Sequence, residues 1–415
     1  MNVVERGMRK ILNSVFGIIL FMVSLIAFYL PYEIEIIPEV ISVLPWVRYI
    51  CGGLLIIAFF ILYCSSLTVF RNNWYLMAAI LFLGVLCYST YMNGADMTGF
   101  LGKKALTALF FIIDIAVFFR TNMKRYMLMA FFWFLLVNIA NTFTVFYYWG
   151  EGLWETWQSY RSPLYSLVGN YNGGVEFVLP MAICGSAWAH RYGKWLDIIN
   201  YLAMIMSMLM ALKCDSLTQQ LVYGLIIVFM LLGNIAMLSK GFTKFLQILH
   251  PILMVCINFA AFVLFVVLNK ASWLEKIGID ANFHNRRHVW DMAIEWIKAR
   301  PLLGSGLETV DMKASKIVGY AHCHCWYLEI PYMTGIAGSV AALLMIIAVI
   351  VSVMRLKHGR LTYILSVMLF VFGLSLLMES YGVPYFIVAL GLIYYIAKNG
   401  SEDGARKKVV RREVN

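Results

Sequence analysis

"GYAHCHCWYLEIPYMTGIAGSVAALLMIIAVIVSVM", Gly319 to Met354, joins two kinds of chemistry. His322-Cys323-His324-Cys325 alternates imidazole and thiol. From Leu328 to Met354 the only charged residue is Glu329. A hydrocarbon layer of about 30 Å takes about 20 apolar residues of helix. The stretch therefore predicts a membrane span with titratable side chains at its mouth.

The pattern recurs along the chain. Twelve apolar stretches fit spans, roughly 11–30, 49–64, 74–91, 105–119, 127–149, 174–189, 196–212, 219–238, 246–268, 328–354, 361–378 and 383–397. The composition is 62% hydrophobic and 13% charged, with mean hydropathy +0.79. A soluble domain is nearer half apolar and a quarter charged. The expected fold is all-α: a polytopic membrane protein of about 12 transmembrane helices forming a single integral membrane domain over 1–415. The first run is followed by "PYEIEIIPE" and not by a small-residue cleavage site, so it reads as a retained helix.

Lys and Arg set the orientation. With the N-terminus in the cytoplasm, 20 of the 33 fall on inside segments, ending in the basic tail "ARKKVVRRE". The net charge of +11 then needs no nucleic acid, because cytoplasmic anionic lipid attracts such segments. The expected localisation is the cytoplasmic membrane, multi-pass, with both termini cytoplasmic.

One segment breaks the rhythm. Residues 269–327 form a large extracytoplasmic loop, and loops of that length are usually functional or disordered. Within it "HVWDMAIEWIKARP" places Val289, Ala293, Trp296 and Ile297 at helical spacing, an amphipathic helix ended by Pro301 and the turn "LLGSG". A second outer segment, 150–173, carries Trp154, Trp157 and Arg161.

Cys51, Cys64, Cys87, Cys184 and Cys256 fall within spans and read as small apolar fillers. Cys214, Cys323 and Cys325 lie outside, where pairing of one with Cys214 stays open. The large loop also holds His284, His288, His322, His324, Arg286, Arg287 and Arg300. Arginine forks suit a diphosphate leaving group, and a neutral imidazole can take a proton from a hydroxyl near pH 7. A solvated basic loop has the same composition, and both readings stand on spacing alone. Zinc is the rival for the His-Cys-His-Cys run. Neighbouring side chains there point to opposite sides of the chain, so one contiguous four-ligand site is geometrically poor. A zinc shared with His284 or His288 stays open, but the expectation is no metal.

"RHVWDMAIEWIKARPLLGSG" followed by "AHCHCWYLEIPYMTGIAG" resembles the signature region of the O-antigen ligase and polysaccharide polymerase superfamily. Arg287 and Trp290 match its Arg-x-x-Trp helix; Pro301, Gly304 and Gly306 match its turn. His324, Tyr327, Leu328 and Glu329 match its histidine element, and Gly335 and Gly338 the span that follows. "GNYNGGVEFVLPMA" resembles the family's Asn-containing start of a middle span, with Asn172 as the matching position. The likeness is strongest over 280–340. Two positions depart: the Asn after the histidine is Cys325 here, and the family's Ser-Arg is Ser216-Leu217, with Lys213 nearby.

The resemblance implies metal-independent, cofactor-free glycosyl transfer on the outer face. The donor is a glycan on undecaprenyl diphosphate. The acceptor is a hydroxyl of a second lipid-linked glycan in a polymerase, or of a lipid A core sugar in a ligase. It makes His324 the base and Arg287 the diphosphate clamp. Arg161, Lys213, His322, Arg286 and Asn172 are secondary candidates for holding diphosphate or glycan. The alternative is a multipass transporter or flippase of lipid-linked glycans or small solutes, for which Asp114 in "ALFFIIDIAVFF" is the suggestive residue.

Overall fold

The computed structural model describes residues 3–35, 37–63, 73–99, 105–147, 165–236, 250–268, 270, 286–317, 319, 322–356 and 359–414. The fold is helical. In chain order the main helices are α1 Val3–Asn13, α2 Val15–Phe28, α3 Pro38–Tyr63, α4 Trp74–Met92, α5 Ala105–Tyr147, α6 Val175–Tyr192, α7 Trp195–Lys213, α8 Leu217–Ala236 and α9 Pro251–Phe262. They continue with α10 Arg286–Ala299, α11 Val310–Lys316, α12 Trp326–Met354, α13 Arg360–Met378 and α14 Val383–Val414. Two two-residue strands, β1 Tyr165–Ser166 and β2 Gly169–Asn170, pair antiparallel just before α6.

Among the described residues eight helices are long and apolar enough to cross a membrane. The count is nine if α1 and α2, bent by 70°, make one span. The 43-residue α5 is one of the eight. Asn122 (φ −154°, ψ 80°) breaks it into two helices, which cover the expected span 105–119 and the described part, up to Tyr147, of the expected span 127–149. The helix α9 is too short to count, but it runs on as a π-turn to Val267. Helix dominates because lipid offers the backbone no partners, so its N–H and C=O groups must bond within the segment. α13 and α14 are the central elements, 72% and 78% buried over their apolar windows. Outer helices instead present bare apolar faces, as at Ile57, Leu81, Leu136, Leu209 and Leu343.

The topology brings several helix ends together. α6 and α8 begin, α7 ends, α12 begins, and α13 hands over to α14 at one end of the bundle, where Asn172, Ser216, His324 and Glu379 are in contact. The opposite end is cationic. There Arg360 pairs with Asp197 at 3.0 Å, Arg191 sits beside Met123, and the Trp188 indole donates to the Lys124 carbonyl at 2.8 Å.

The expected amphipathic helix is α10, with Val289, Trp290 and Ala293 buried. After it, residues 301–307 fold back on the bundle, with Pro301 and Leu302 exposed and Gly304 to Leu307 buried. They lie against a break in α12 at Gly335 (φ 59°, ψ −158°). Ile336 N donates to Pro301 O at 2.8 Å and Ala337 N to Leu302 O. In return Ser305 N and Gly306 N donate to Tyr332 O and Met333 O at 2.8 and 2.9 Å. From α4, Ser89 Oγ also donates to Met333 O, and Thr90 Oγ1 accepts from Leu307 N. Backbone groups freed by the break are thus satisfied by protein, the condition for irregular backbone at membrane depth. Close approach explains the glycines. A Cβ on Gly335 would lie 2.3 Å from Leu302 C, and one on Gly304 2.5 Å from Tyr332 O, and both residues have positive φ.

Gly335→Ala is expected to destabilise the protein by about 2 kcal/mol or more, from backbone strain plus collision. Gly84→Ala, where a Cβ meets nothing within 4 Å, is expected to be neutral or stabilising. Thermal unfolding of the two variants in detergent checks the contrast.

Candidate functional site

The His-Cys-His-Cys run is an irregular segment leading into α12, and its two residue types turn opposite ways. Cys323 and Cys325 are fully buried in the core, whereas His322 and His324 are part-exposed. The segment is held at its backbone. Cys323 N donates to Glu329 Oε2 at 2.9 Å, and Cys323 O accepts from the Trp290 indole at 3.0 Å. Cys325 N donates to Ser380 Oγ at 3.0 Å. These clamps hold His324 at φ 50°, a left-handed conformation uncommon for a residue with a side chain. Burial pushes both thiols up, Cys325 to about 12. They are neutral fillers at ordinary pH, and no disulfide joins Cys214, Cys323 or Cys325.

Both imidazoles meet one carboxylate, Glu379, at the end of α13. Its Oε1 lies 2.8 Å from His324 Nδ1 and 3.7 Å from His322 Nδ1, and accepts from Ser380 N at 3.1 Å. Its Oε2 accepts from Asn172 Nδ2 at 2.8 Å and pairs with Arg286 Nη2 at 3.5 Å. Arg286 also donates to the Met378 carbonyl. Asn172 Oδ1 in turn accepts from Ser216 Oγ at 2.7 Å, tying α8 to the group. Burial alone would raise the Glu379 pKa. The hydrogen bond from His324, the positive charge the two imidazoles carry when protonated in acid, and Arg286 outweigh it and hold the carboxyl at about 2. Glu379 is therefore an anion at neutral pH. An ionised carboxylate only accepts, so the His324 proton belongs on Nδ1 and the lone pair on Nε2. Burial pushes His322 down to about 4, despite the Glu379 charge, so its ring is neutral. The two rings meet edge to face, 4.0 Å between centroids.

A second buried charge pair lies beneath the segment. Lys313 of α11 pairs with Glu329, both under a tenth exposed. The Lys313 ammonium also lies 4.7 Å from the centre of the Tyr332 ring. Lys316 pairs with Glu308, which accepts from Tyr332 Oη at 2.7 Å. The Glu329 charge outweighs the penalty of burial and keeps Lys313 protonated. Since Glu329 also receives Cys323 N–H, the pair fixes the histidine segment on α12.

The expected site residues separate in space. His322, His324, Arg286 and Asn172 come together on Glu379, whereas Arg287 bonds Asp291 at 2.9 Å and the Val266 carbonyl at 2.8 Å. Lys213 ends α7, three residues before Ser216. Arg161 and His284 lie outside the described residues, as do 271–285 of the expected loop. Asp114 is fully buried in α5, where it accepts from Ser24 Oγ at 2.7 Å. Glu379 and Lys313 escape sequence reasoning. The one available signal was a lone acid at the end of an apolar run, "LSLLMESYG", at the same end of the bundle as the histidines.

Beside the site an apolar cavity of about 610 Å³ opens between α9, α12, α13 and α14. Phe259, Phe262, Trp326, Tyr327, Phe372 and Phe386 line it. Trp326 borders both spaces, its indole donating to Tyr381 O at 2.7 Å just past Glu379.

Protein-family models, curated proteins and solved structures give no match to the chain. What the site can do rests on its own chemistry.

Glu329→Leu is expected to cost about 3 kcal/mol or more, because it strands a buried ammonium. Adding Lys313→Met should recover most of that loss. The remainder reports the bond to Cys323 N–H. Unfolding of the single and double variants gives both values.

Proposed function

We propose that this protein transfers or polymerises glycans at the outer face of the cytoplasmic membrane. The donor is a glycan on undecaprenyl diphosphate, and the acceptor is a hydroxyl of a lipid-linked or lipid A core sugar. The observation that carries the reading is the His324–Glu379 pair, an imidazole on an ionised carboxylate, flanked by Arg286 and Asn172. In this reading the chain spans the membrane about twelve times, with both termini cytoplasmic. The Lys- and Arg-rich end opposite the site accords with that orientation.

The roles follow from charge. His324 Nε2 draws the proton from the acceptor hydroxyl as its oxygen bonds the donor's anomeric carbon. Glu379 fixes the tautomer and steadies the imidazolium that forms. The anomeric C–O bond breaks towards the diphosphate, which leaves with its electron pair. Arginine stabilises that charge. Arg286 is already at the site, and Arg287, one residue on in α10, reaches the end of α9 through Val266. The apolar cavity suits a hydrocarbon chain on the donor, as a lipid-linked substrate requires. Lys213 and Arg161 remain the further cations for the glycan phosphate. The absent Ser-Arg element favours polymerase over ligase.

His324→Ala and Arg287→Ala are each expected to stop chain growth in cells that depend on this protein. Single-repeat undecaprenyl-linked glycan should accumulate, and Glu379→Gln should lower transfer by about 10²-fold or more, the range for loss of a positioned acid–base system. Analysis of lipid-linked intermediates reads all three. Full-length polymer in both His324→Ala and Arg287→Ala rejects the roles.

A further inference from the structure

His322 is left over from this scheme. Its Nδ1 is shut off from solvent and has no hydrogen-bond partner among the described residues, although a third of its side chain is exposed. A buried polar atom without a partner costs free energy, so it calls for a reason. The atom faces Glu379 Oε1 across 3.7 Å, too far for a hydrogen bond. His322, His324 and Glu379 offer three donor atoms within 4.8 Å of one another.

We propose that His322, His324 and Glu379 form a binding site for one divalent transition cation of the zinc type. Bonds of about 2.0–2.1 Å from a tetrahedral zinc set neighbouring donors about 3.3 Å apart. The separations here, 2.8 and 3.7 Å from Glu379 Oε1, bracket that value. Two imidazoles and one carboxylate make a donor set suited to zinc and not to magnesium or calcium, and they leave a fourth position for water. The carboxylate is arranged as ligating carboxylates are: Oε1 faces the rings, while Oε2 is held from behind by Asn172 and Arg286. Arg286 opposes a second cation, but it sits on Oε2, away from the shared donor atom. The contiguous four-ligand site fails, because both thiols turn into the core. Three ligands succeed because the third comes from α13.

The consequence rests on the transfer reading above. An ion on His324 Nδ1 takes the place of the proton shared with Glu379. The neutral ring must then carry its proton on Nε2, where the lone pair was. The ion and the base exclude each other, so zinc inhibits transfer.

The test uses the full-length chain, purified in detergent and stripped of metal, titrated with Zn²⁺ against a chromophoric chelator. One ion per chain is expected, bound at least tenfold more weakly by His322→Ala and by Glu379→Gln. His322→Ala is the mild change, since Nδ1 gives up no hydrogen bond. Unaltered stoichiometry and affinity in His322→Ala would place the ion elsewhere and overturn the proposal. Should either variant fail to fold, Co²⁺ titration of the unaltered chain decides. An intense visible band of four-coordinate cobalt supports the site, and its absence removes it. Neither titration needs a glycan substrate, so a failed transfer assay strikes only the function proposed above. Undiminished transfer with the site filled by zinc overturns the competition.

Discussion

A single buried negative charge organises the functional end of this protein. Glu379 is 4% exposed, and a carboxylate so placed must be met by donors and cations or give up its charge. The chain supplies them from four separate elements: Asn172 before α6, Arg286 on α10, His324 before α12 and Ser380 beside it. Each partner is itself held. Ser216 fixes Asn172, and three backbone bonds fix the segment around His324. Without that charge those partners lose the acceptor they share.

The second constraint is the absence of water around the helices. A span can be broken only where protein replaces the lost bonds. Residues 301–307 do this for α12 at Gly335, with Ser89 and Thr90 of α4 sealing the junction. The segment after α10 is therefore part of the span assembly and not a free loop. It couples α10, which carries the arginines, to α12, which the histidine segment leads into. The Lys313–Glu329 pair adds a further tie between the same parts. A site that must hold imidazole and carboxylate at fixed separation needs such a frame.

Much of this was legible in residue order. Hydropathy marked the apolar parts of the long helices, and the spacing of Val289, Ala293, Trp296 and Ile297 gave α10, whose buried face is Val289, Trp290 and Ala293. The polar α11 and the charged end of α14 carry no such signal. The Gly-x-Gly turn and Gly335 stood out before their packing was visible, though not why they had to be glycine. Asn172 and the histidines were candidates from sequence. Glu379 was not, because one acid at a span end carries no local pattern. Arg286 and Arg287 are adjacent and chemically identical, so nothing in the sequence could tell which meets the carboxylate.

The sequence by itself determined the class of protein, the apolar helical stretches and the residue types gathered near one mouth. Those follow from periodicity and transfer energy, which are local properties of the chain. Only the tertiary structure decided that residues 172, 286, 322, 324 and 379 share one space, and that His322 ends with an unpartnered nitrogen facing a carboxylate. The physical reason is the cost of burying charge. It is settled among side chains distant in sequence, when the helices pack, and it leaves no period to read.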